Sequence, residues 1–340
     1  MAALSLTAKL LPAMRAVVLG SGSWGTALAI LLARNGHEVV LLGREEEEIA
    51  SLRSTRENLR YLPGFAIPES ATFGLIGEDT CDADLTIVAV PSDAVRGVLG
   101  QLSGSHPLIV VASKGLDAFS GDRLSVVAQQ ASPSSVVGVL SGPNLAVEIA
   151  RGIPTVAVAA CMDRSCAEMI REAFICASFR PSISDDVVGV ELGGALKNVL
   201  AIGAGMSDGL GFGDNTKGAF LSRGLMEMAR LGAALGARPE TFLGPAGVGD
   251  LFATASSRLS RNYRVGLSLG KGENLGSALA EVGQVAEGVP TSEAVTGVAK
   301  ATGVEMPVFA AVEAVLKAKI SPHQAVAMLM ERVVKMDDFL

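Results

Sequence analysis

The chain holds 340 residues, 49% of them hydrophobic and 19% charged, with a net charge of -7. That length suggests about two domains with sizeable cores, and the acidic balance disfavours nucleic acid and anionic membrane as partners, though not an anionic substrate held in a local basic pocket. Three histidines, and four cysteines (Cys81, Cys161, Cys166, Cys176) with no Cys-x-x-Cys spacing, argue against a metal site and for reduced thiols in the cytoplasm.

The first 13 residues, MAALSLTAKLLPA, are too short and too weakly charged for a secretory signal and read as a disordered leader. Residues 15–20, RAVVLG, form a buried strand by their β-branched run. SWGTALAILLARNGH follows as a helix that stops at Gly36, and EVVLLG is the next strand. LTIVAV, LIVVAS, VVGVL and TVAVAA then recur between helical or loop stretches. Continuous apolar strands alternating with helices predict a mainly parallel α/β sheet covered on both faces. Strand patterns fade after about residue 185, which sets an expected boundary near 190. An α/β unit over 14–190 then precedes an all-helical unit over 191–340. No apolar run reads as the roughly 20 residues that cross a bilayer.

Gly20-Ser21-Gly22-Ser23-Trp24-Gly25 fits G-x-G-x-x-G directly after a strand and at the opening of a helix. That context predicts dinucleotide binding: Gly20 for the tight turn, Gly22 for close approach of the pyrophosphate, and Gly25 for packing of helix on strand. The helix N-terminus offers free N–H groups to the phosphates. The second strand ends LLGREEEE, with Gly43 where an acid would bind a ribose 2′-OH and Arg44 after it. A guanidinium there suits a 2′-phosphate, so NADPH (NADP) is the favoured cofactor, with NADH (NAD) also usable. The plainer alternative is that Arg44 pairs with the run Glu45 to Glu48.

VGVELGGALKNVLAIGAG, residues 188–205, reads as a helix apolar on nearly every face, yet it carries Lys197. Lysine is almost never fully buried without a partner, so this helix is expected to line a cleft. Snorkelling of the side chain is the competing explanation. Other polar clusters interrupt apolar text: VPSDAV, ASKGL, SGPNLAVEIARG, GVGDLFATASSRLSRNYRVG and QVAEGVPT. Asp250 in GVGDLF is either a helix cap or a functional acid. Arg258, Arg261 and Arg264 lie close together in an acidic protein, which favours anion binding over a solvated basic face. Glu148 and Arg151 are most simply a surface helix pair.

In order and wording, GSGSWGTALA, SKGL, SGP, ELGGALKN and GDL followed by SRN resemble the bacterial-type NAD(P)-dependent glycerol-3-phosphate dehydrogenases, from about Met14 onward. The leader departs from the family pattern, as does Asn144, where Thr or Ser is common. The resemblance implies a Rossmann-type doubly wound sheet followed by an all-helical C-terminal domain. It also implies interconversion of dihydroxyacetone phosphate and sn-glycerol 3-phosphate, supplying the glycerol phosphate of phospholipids. Under it Lys197 is the catalytic acid/base. Lys114, Gly142, Asn144, Asp250, Ser260, Arg261 and Asn262 join Lys197 around the small phosphorylated triose. Ser23, Trp24, Arg44, Lys114, Ala146, Arg261, Val285 and Glu287 contact the cofactor beside the glycine turn.

The chemistry of the residues agrees with that reading. Hydride delivery to a ketone leaves charge on its oxygen, which a positioned ammonium stabilises and protonates. A second cation nearby, Lys114, lowers the lysine pKa toward operating pH. Another two-domain β-hydroxyacid or sugar-acid dehydrogenase, or a non-catalytic NADPH-binding regulatory module, are the alternatives. GDL paired with SRN speaks against the first, and retention of both Lys114 and Lys197 against the second. A homodimer through the helical unit, rich in small apolar residues, is expected.

Overall fold

The computed structural model describes residues 12–331, so the expectation of a disordered leader falls outside the described residues except for Pro12 and Ala13. Among the described residues there are ten strands: β1 Arg15–Leu19, β2 Glu38–Gly43, β3 Glu57–Asn58, β4 Leu62–Ala66, β5 Ala71–Leu75, β6 Leu85–Val88, β7 Leu108–Val111, β8 Val136–Ser141, β9 Thr155–Ala160 and β10 Phe179–Ser184. Eight of them form one sheet in the order β10-β9-β8-β7-β6-β1-β2-β5, while β3 and β4 make a separate antiparallel pair. Every neighbour in the large sheet is parallel except β8 and β9.

Alternation along the strands explains why both faces need cover. Val18, Leu41, Ile87, Val110 and Leu140 point into one apolar cluster. Val17, Leu42, Val88, Ile109, Val111 and Val139 point into the other. Period-2 side-chain geometry divides the apolar runs between two cores, as a parallel sheet requires. Helices α1 Ser23–Arg34, α2 Glu46–Thr55, α3 Val95–Leu99, α4 Leu124–Ala131, α5 Ala146–Arg151 and α6 Arg164–Phe174 are interleaved with the strands. Residues of α1, α5 and α6 join the first cluster, and residues of α3 and α4 join the second.

From residue 187 on, the described chain is helical: α7 Val187–Gly209, α8 Asp214–Ala234, α9 Asp250–Ala255, α10 Arg261–Gly270, α11 Leu275–Val282, α12 Gly288–Thr302, α13 Pro307–Leu316 and α14 Pro322–Glu331. Helix α7 runs through the expected boundary at 190 without a break. Its first turn, Val187 and Val190, packs into the sheet's core, and its later turns into the helical core. With 23 residues and a mean hydropathy of 1.4, α7 is long and apolar enough to cross a bilayer, contrary to the sequence reading. It is instead the central helix of this fold, with 94% of that apolar window buried. Helix α10 crosses it closely. A Cβ at Gly205 or Gly266 would run into the other helix's backbone, at Tyr263 O and Ile202 O respectively.

Candidate active site

The chain reverses direction across the sheet between β1 and β6, and ligands of open α/β sheets bind at the C-terminal ends of strands beside such a switch. The glycine turn lies there. Gly20 has φ +112°, and a Cβ on it would sit 2.6 Å from Ala89 O, at the end of β6. A Cβ on Gly25 would strike Gly20 O, so α1 can approach the turn only with glycine there. Gly22 has open space where its Cβ would be, and no side chain caps the start of α1. The turn therefore leaves both the volume and the N–H donors that a pyrophosphate needs. Ser23 and Trp24 open α1, and the Trp24 indole donates to Ala112 O at 3.0 Å, tying the turn to the end of β7. Asn58, which the sequence did not mark, braces the turn by donating to Ser21 O at 2.6 Å and Thr26 Oγ1 at 2.8 Å. Arg44 is 87% exposed and donates to Glu45 at 2.7 Å, the plainer of the two arrangements expected from sequence.

Two ammonium groups converge on one carboxylate. Lys114, three residues beyond β7, donates to Asp250 Oδ2 at 2.6 Å and to Gly142 O at 2.8 Å. Lys197, on α7, lies 2.9 Å from Asp250 Oδ1 and donates to Thr254 Oγ1. The Thr254 hydroxyl in turn donates to Asp250 Oδ1 at 3.1 Å. A π-helical turn, Pro245–Gly249, delivers Asp250 to this position at the start of α9. Asp250 is 1% exposed and Lys197 6%, so Lys197 does not snorkel to solvent. It is buried and paired.

Burial alone would raise the Asp250 carboxyl, but Lys114 and then Lys197 override it and hold its pKa below the usual range. Burial pushes the Lys197 ammonium down. Asp250 pulls it back up, Lys114 and Arg261 push it down again, and the balance lies at about 8. An amine poised near neutrality, held by an acceptor that stays charged, is equipped to give and recover a proton.

Arg261 opens α10, whose N-cap, Ser260, accepts from Tyr263 N at 3.2 Å. Among the described residues the Arg261 guanidinium makes no hydrogen bond. Burial lowers its pKa, and Glu287 opposes that through space. An unpartnered, mostly buried guanidinium beside a helix N-terminus is suited to an anion. The Asn262 side chain is already committed, donating to Asn198 Oδ1 at 2.9 Å and accepting from Gly288 N at 2.9 Å. Asn198 also reaches Lys114 O at 3.4 Å, so this amide chain braces the loop, α7, α10 and α12 against one another. Asn144 Nδ2 donates to Val156 O at 3.1 Å, while its buried Oδ1 has no partner. Gly142 has φ +134° and presents its carbonyl to Lys114.

Ala146 opens α5, Val285 is 46% exposed in the loop before α12, and Glu287 reaches over to Ser92 beside β6. Glu148 and Arg151 form no ion pair among the described residues, against the sequence expectation. No group of His, Cys, Asp or Glu there is arranged to hold a metal ion.

A glycine-turn nucleotide fold whose strand ends meet a lysine pair, Lys114 from the sheet unit and Lys197 from the helical unit, defines a two-domain nicotinamide-dependent dehydrogenase. Family models for the N- and C-terminal parts of NAD-dependent glycerol-3-phosphate dehydrogenase match residues 15–167 and 186–327. The chain is 46% identical to the glycerol-3-phosphate dehydrogenase [NAD(P)+] of Acidovorax sp. (strain JS42), over 94% of this chain and 98% of that one. With the enzyme of that name from Thermoanaerobacter sp. (strain X514), the identity is 44% over 94% and 97%. It also superposes on the crystal structure of glycerol-3-phosphate dehydrogenase from Coxiella burnetii with a TM-score of 0.88, at 35% identity over 94% of this chain and 99% of that one. The chain belongs to the NAD-dependent glycerol-3-phosphate dehydrogenase family.

Proposed function

We propose that this chain interconverts dihydroxyacetone phosphate and sn-glycerol 3-phosphate with a nicotinamide dinucleotide, NADPH favoured and NADH accepted. The observation that carries the reading is the buried Lys114–Asp250–Lys197 cluster beside the glycine turn. The bound cofactor supplies the hydride. Lys197 then meets the developing alkoxide, stabilises it and gives it a proton; in the reverse direction the neutral amine takes that proton. Asp250 holds the Lys197 ammonium in place and keeps it from being silenced by burial. Lys114 lowers the Lys197 pKa and has Nζ beside the Gly142 carbonyl, where a substrate oxygen can be oriented. Arg261 and the free N–H groups at the start of α10 take the phosphate. Asn262 holds Asn198 and Gly288 in position and keeps a second Nδ2 hydrogen for the substrate.

The division of labour is a dinucleotide-binding unit over 14–190 and a catalytic helical unit over 191–340. A cytoplasmic homodimer that supplies glycerol phosphate for phospholipids fits the four unpaired thiols and the small-residue helical unit. The test follows nicotinamide absorbance with dihydroxyacetone phosphate, with unphosphorylated dihydroxyacetone and with a branched 2-keto acid. Rapid turnover of the phosphorylated triose alone is expected. Preference for the keto acid would assign the chain to the β-hydroxyacid enzymes instead, and absence of any turnover to a binding module.

A further inference from the structure

Helix α7 carries a second buried charge, Glu191, six positions before Lys197, and it is 4% exposed. Its Oε1 accepts from Ser125 N at 2.8 Å, and its Oε2 accepts from Ser125 Oγ at 2.5 Å and from Arg123 Nη1 at 3.0 Å. Helix α4 has no side-chain cap of its own, since its N-cap position is Arg123. The Glu191 carboxylate therefore caps α4 from another element, meeting an orphan N–H and the positive end of the helix dipole. Burial raises the Glu191 carboxyl, while Arg123 and Ser125 work against that shift.

The segment that this cap fixes is the one that bears Lys114. Arg123 pairs backbone to backbone with Leu116 in an isolated antiparallel bridge. Leu116, two residues from Lys114, is 2% exposed and belongs to the helical core that includes Leu192, Leu196 and Val199. The loop between β7 and α4 is thus clasped at both ends by the helical unit: by Asp250 at Lys114, and by Glu191 at Arg123 and Ser125. Nothing in the chemistry of hydride or proton transfer requires a carboxylate at 191, yet alanine there would unfasten the far clasp and glutamine would weaken it.

We propose that Glu191 is a positioning residue for the reaction, holding the Lys114 loop so that Lys114 and Lys197 share Asp250. The inference rests on the reading of Lys197 as the proton donor. If the loop relaxes, Lys114 withdraws and two things change at Lys197. The repulsion from Lys114 falls, and Asp250 serves Lys197 alone. Both changes raise the Lys197 pKa. The other groups acting on it, Arg261 from α10 and the Thr254 hydroxyl from α9, stay where they are.

The experiment compares Glu191→Ala, Glu191→Gln and Lys197→Met with the unmodified enzyme. It measures kcat, the pH profile of kcat/KM for ketone reduction, NADPH affinity and a thermal melt. For Glu191→Ala we expect kcat to fall on the order of 10- to 100-fold, as displaced catalytic groups do, and the alkaline limb of the profile to move to higher pH. NADPH affinity should stay near that of the unmodified enzyme. Glu191→Gln keeps an acceptor for Ser125 N and should fall between the two, with its limb displaced in the same sense. Unchanged kcat and limb in Glu191→Gln, with only the melt lowered, would overturn the proposal and leave Glu191 a structural cap. If Glu191→Ala does not fold, Glu191→Gln decides by the same two readouts. Lys197→Met separates the two claims: an alkaline limb that persists in that variant refutes the proton donor itself and not the role of Glu191.

Discussion

Glu287 takes both donors of Ser92, its backbone N–H at 3.1 Å and its hydroxyl at 2.6 Å, across 195 positions of sequence. This contact fastens the loop before α12 to the segment following β6. Burial raises the Glu287 carboxyl, and the two Ser92 donors and Arg261 offset part of the rise. A carboxylate in such surroundings loses more than an exposed one would when a donor is removed. Ser92→Ala is therefore expected to cost about 1–3 kcal/mol of stability, the range for a hydrogen bond to a charged, buried group. Urea unfolding of the two proteins measures it. A midpoint and slope identical to those of the unmodified enzyme would show that the latch holds nothing.

Cofactor choice turns on Arg44. Glu45 already holds this guanidinium, but both side chains are exposed, and an exposed pair contributes little. A 2′-phosphate brings two charges and several acceptors, so it should displace Glu45. Arg44→Ala should weaken NADPH by about 1–3 kcal/mol and leave NADH nearly as it was. Fluorescence titration with both cofactors checks this; equal losses would mean that Arg44 does not touch the 2′ position.

The phosphate site turns on Arg261, the mostly buried guanidinium without a hydrogen-bond partner among the described residues. Arg261→Ala should raise KM for dihydroxyacetone phosphate steeply and hardly alter the poor turnover of dihydroxyacetone. Because Arg261 also lowers the Lys197 pKa, the alkaline limb of the pH profile should move up in the same variant. Equal losses with both substrates would reassign Arg261 to the cofactor or the fold.

Much of this site was legible in the sequence because its chemistry contradicts its surroundings. Lys197 stands out as a cation in an apolar helix, and Gly20 to Gly25 stand out by spacing and context. Missing from the sequence was the identity of each partner. Nothing local to Lys197 says that Asp250, on another helix, would pair with it. Glu191 and Asn58 look like ordinary polar residues until the fold brings them to a helix end and to the glycine turn. The contacts of Asn262 with Asn198 and Gly288 are likewise set by tertiary geometry alone. Strand β10 escaped notice because FRPSIS carries a proline and polar residues, which an edge strand tolerates and a central strand does not. The antiparallel pairing of β8 with β9 has no signature in residue pattern at all.

Lys197 is where the reading stands or falls, and its pKa of about 8 fixes the signs. Ketone reduction needs the ammonium, so kcat/KM in that direction should be level below about 8 and decline as pH rises through it. Alcohol oxidation needs the amine and should rise over the same interval. Asp250→Asn removes the influence that raises the Lys197 pKa, so both limbs should move to lower pH, at some cost in stability because two cations lose their counter-ion. Lys197→Met keeps the stem and deletes the charge. Asp250 then remains paired with Lys114 at 2.6 Å, so no uncompensated buried carboxylate is left and the protein should fold. The glycine turn is untouched, so NADPH should bind normally. The loss should fall on kcat, because a neutral ketone needs the ammonium less than the alkoxide does. General acid help alone is typically worth about 10²–10⁴ in rate. The measurements are kcat in both directions, NADPH affinity and a melt. A folded, NADPH-binding Lys197→Met enzyme that still turns over within about tenfold of the unmodified one would transfer the proton-donating role to Lys114.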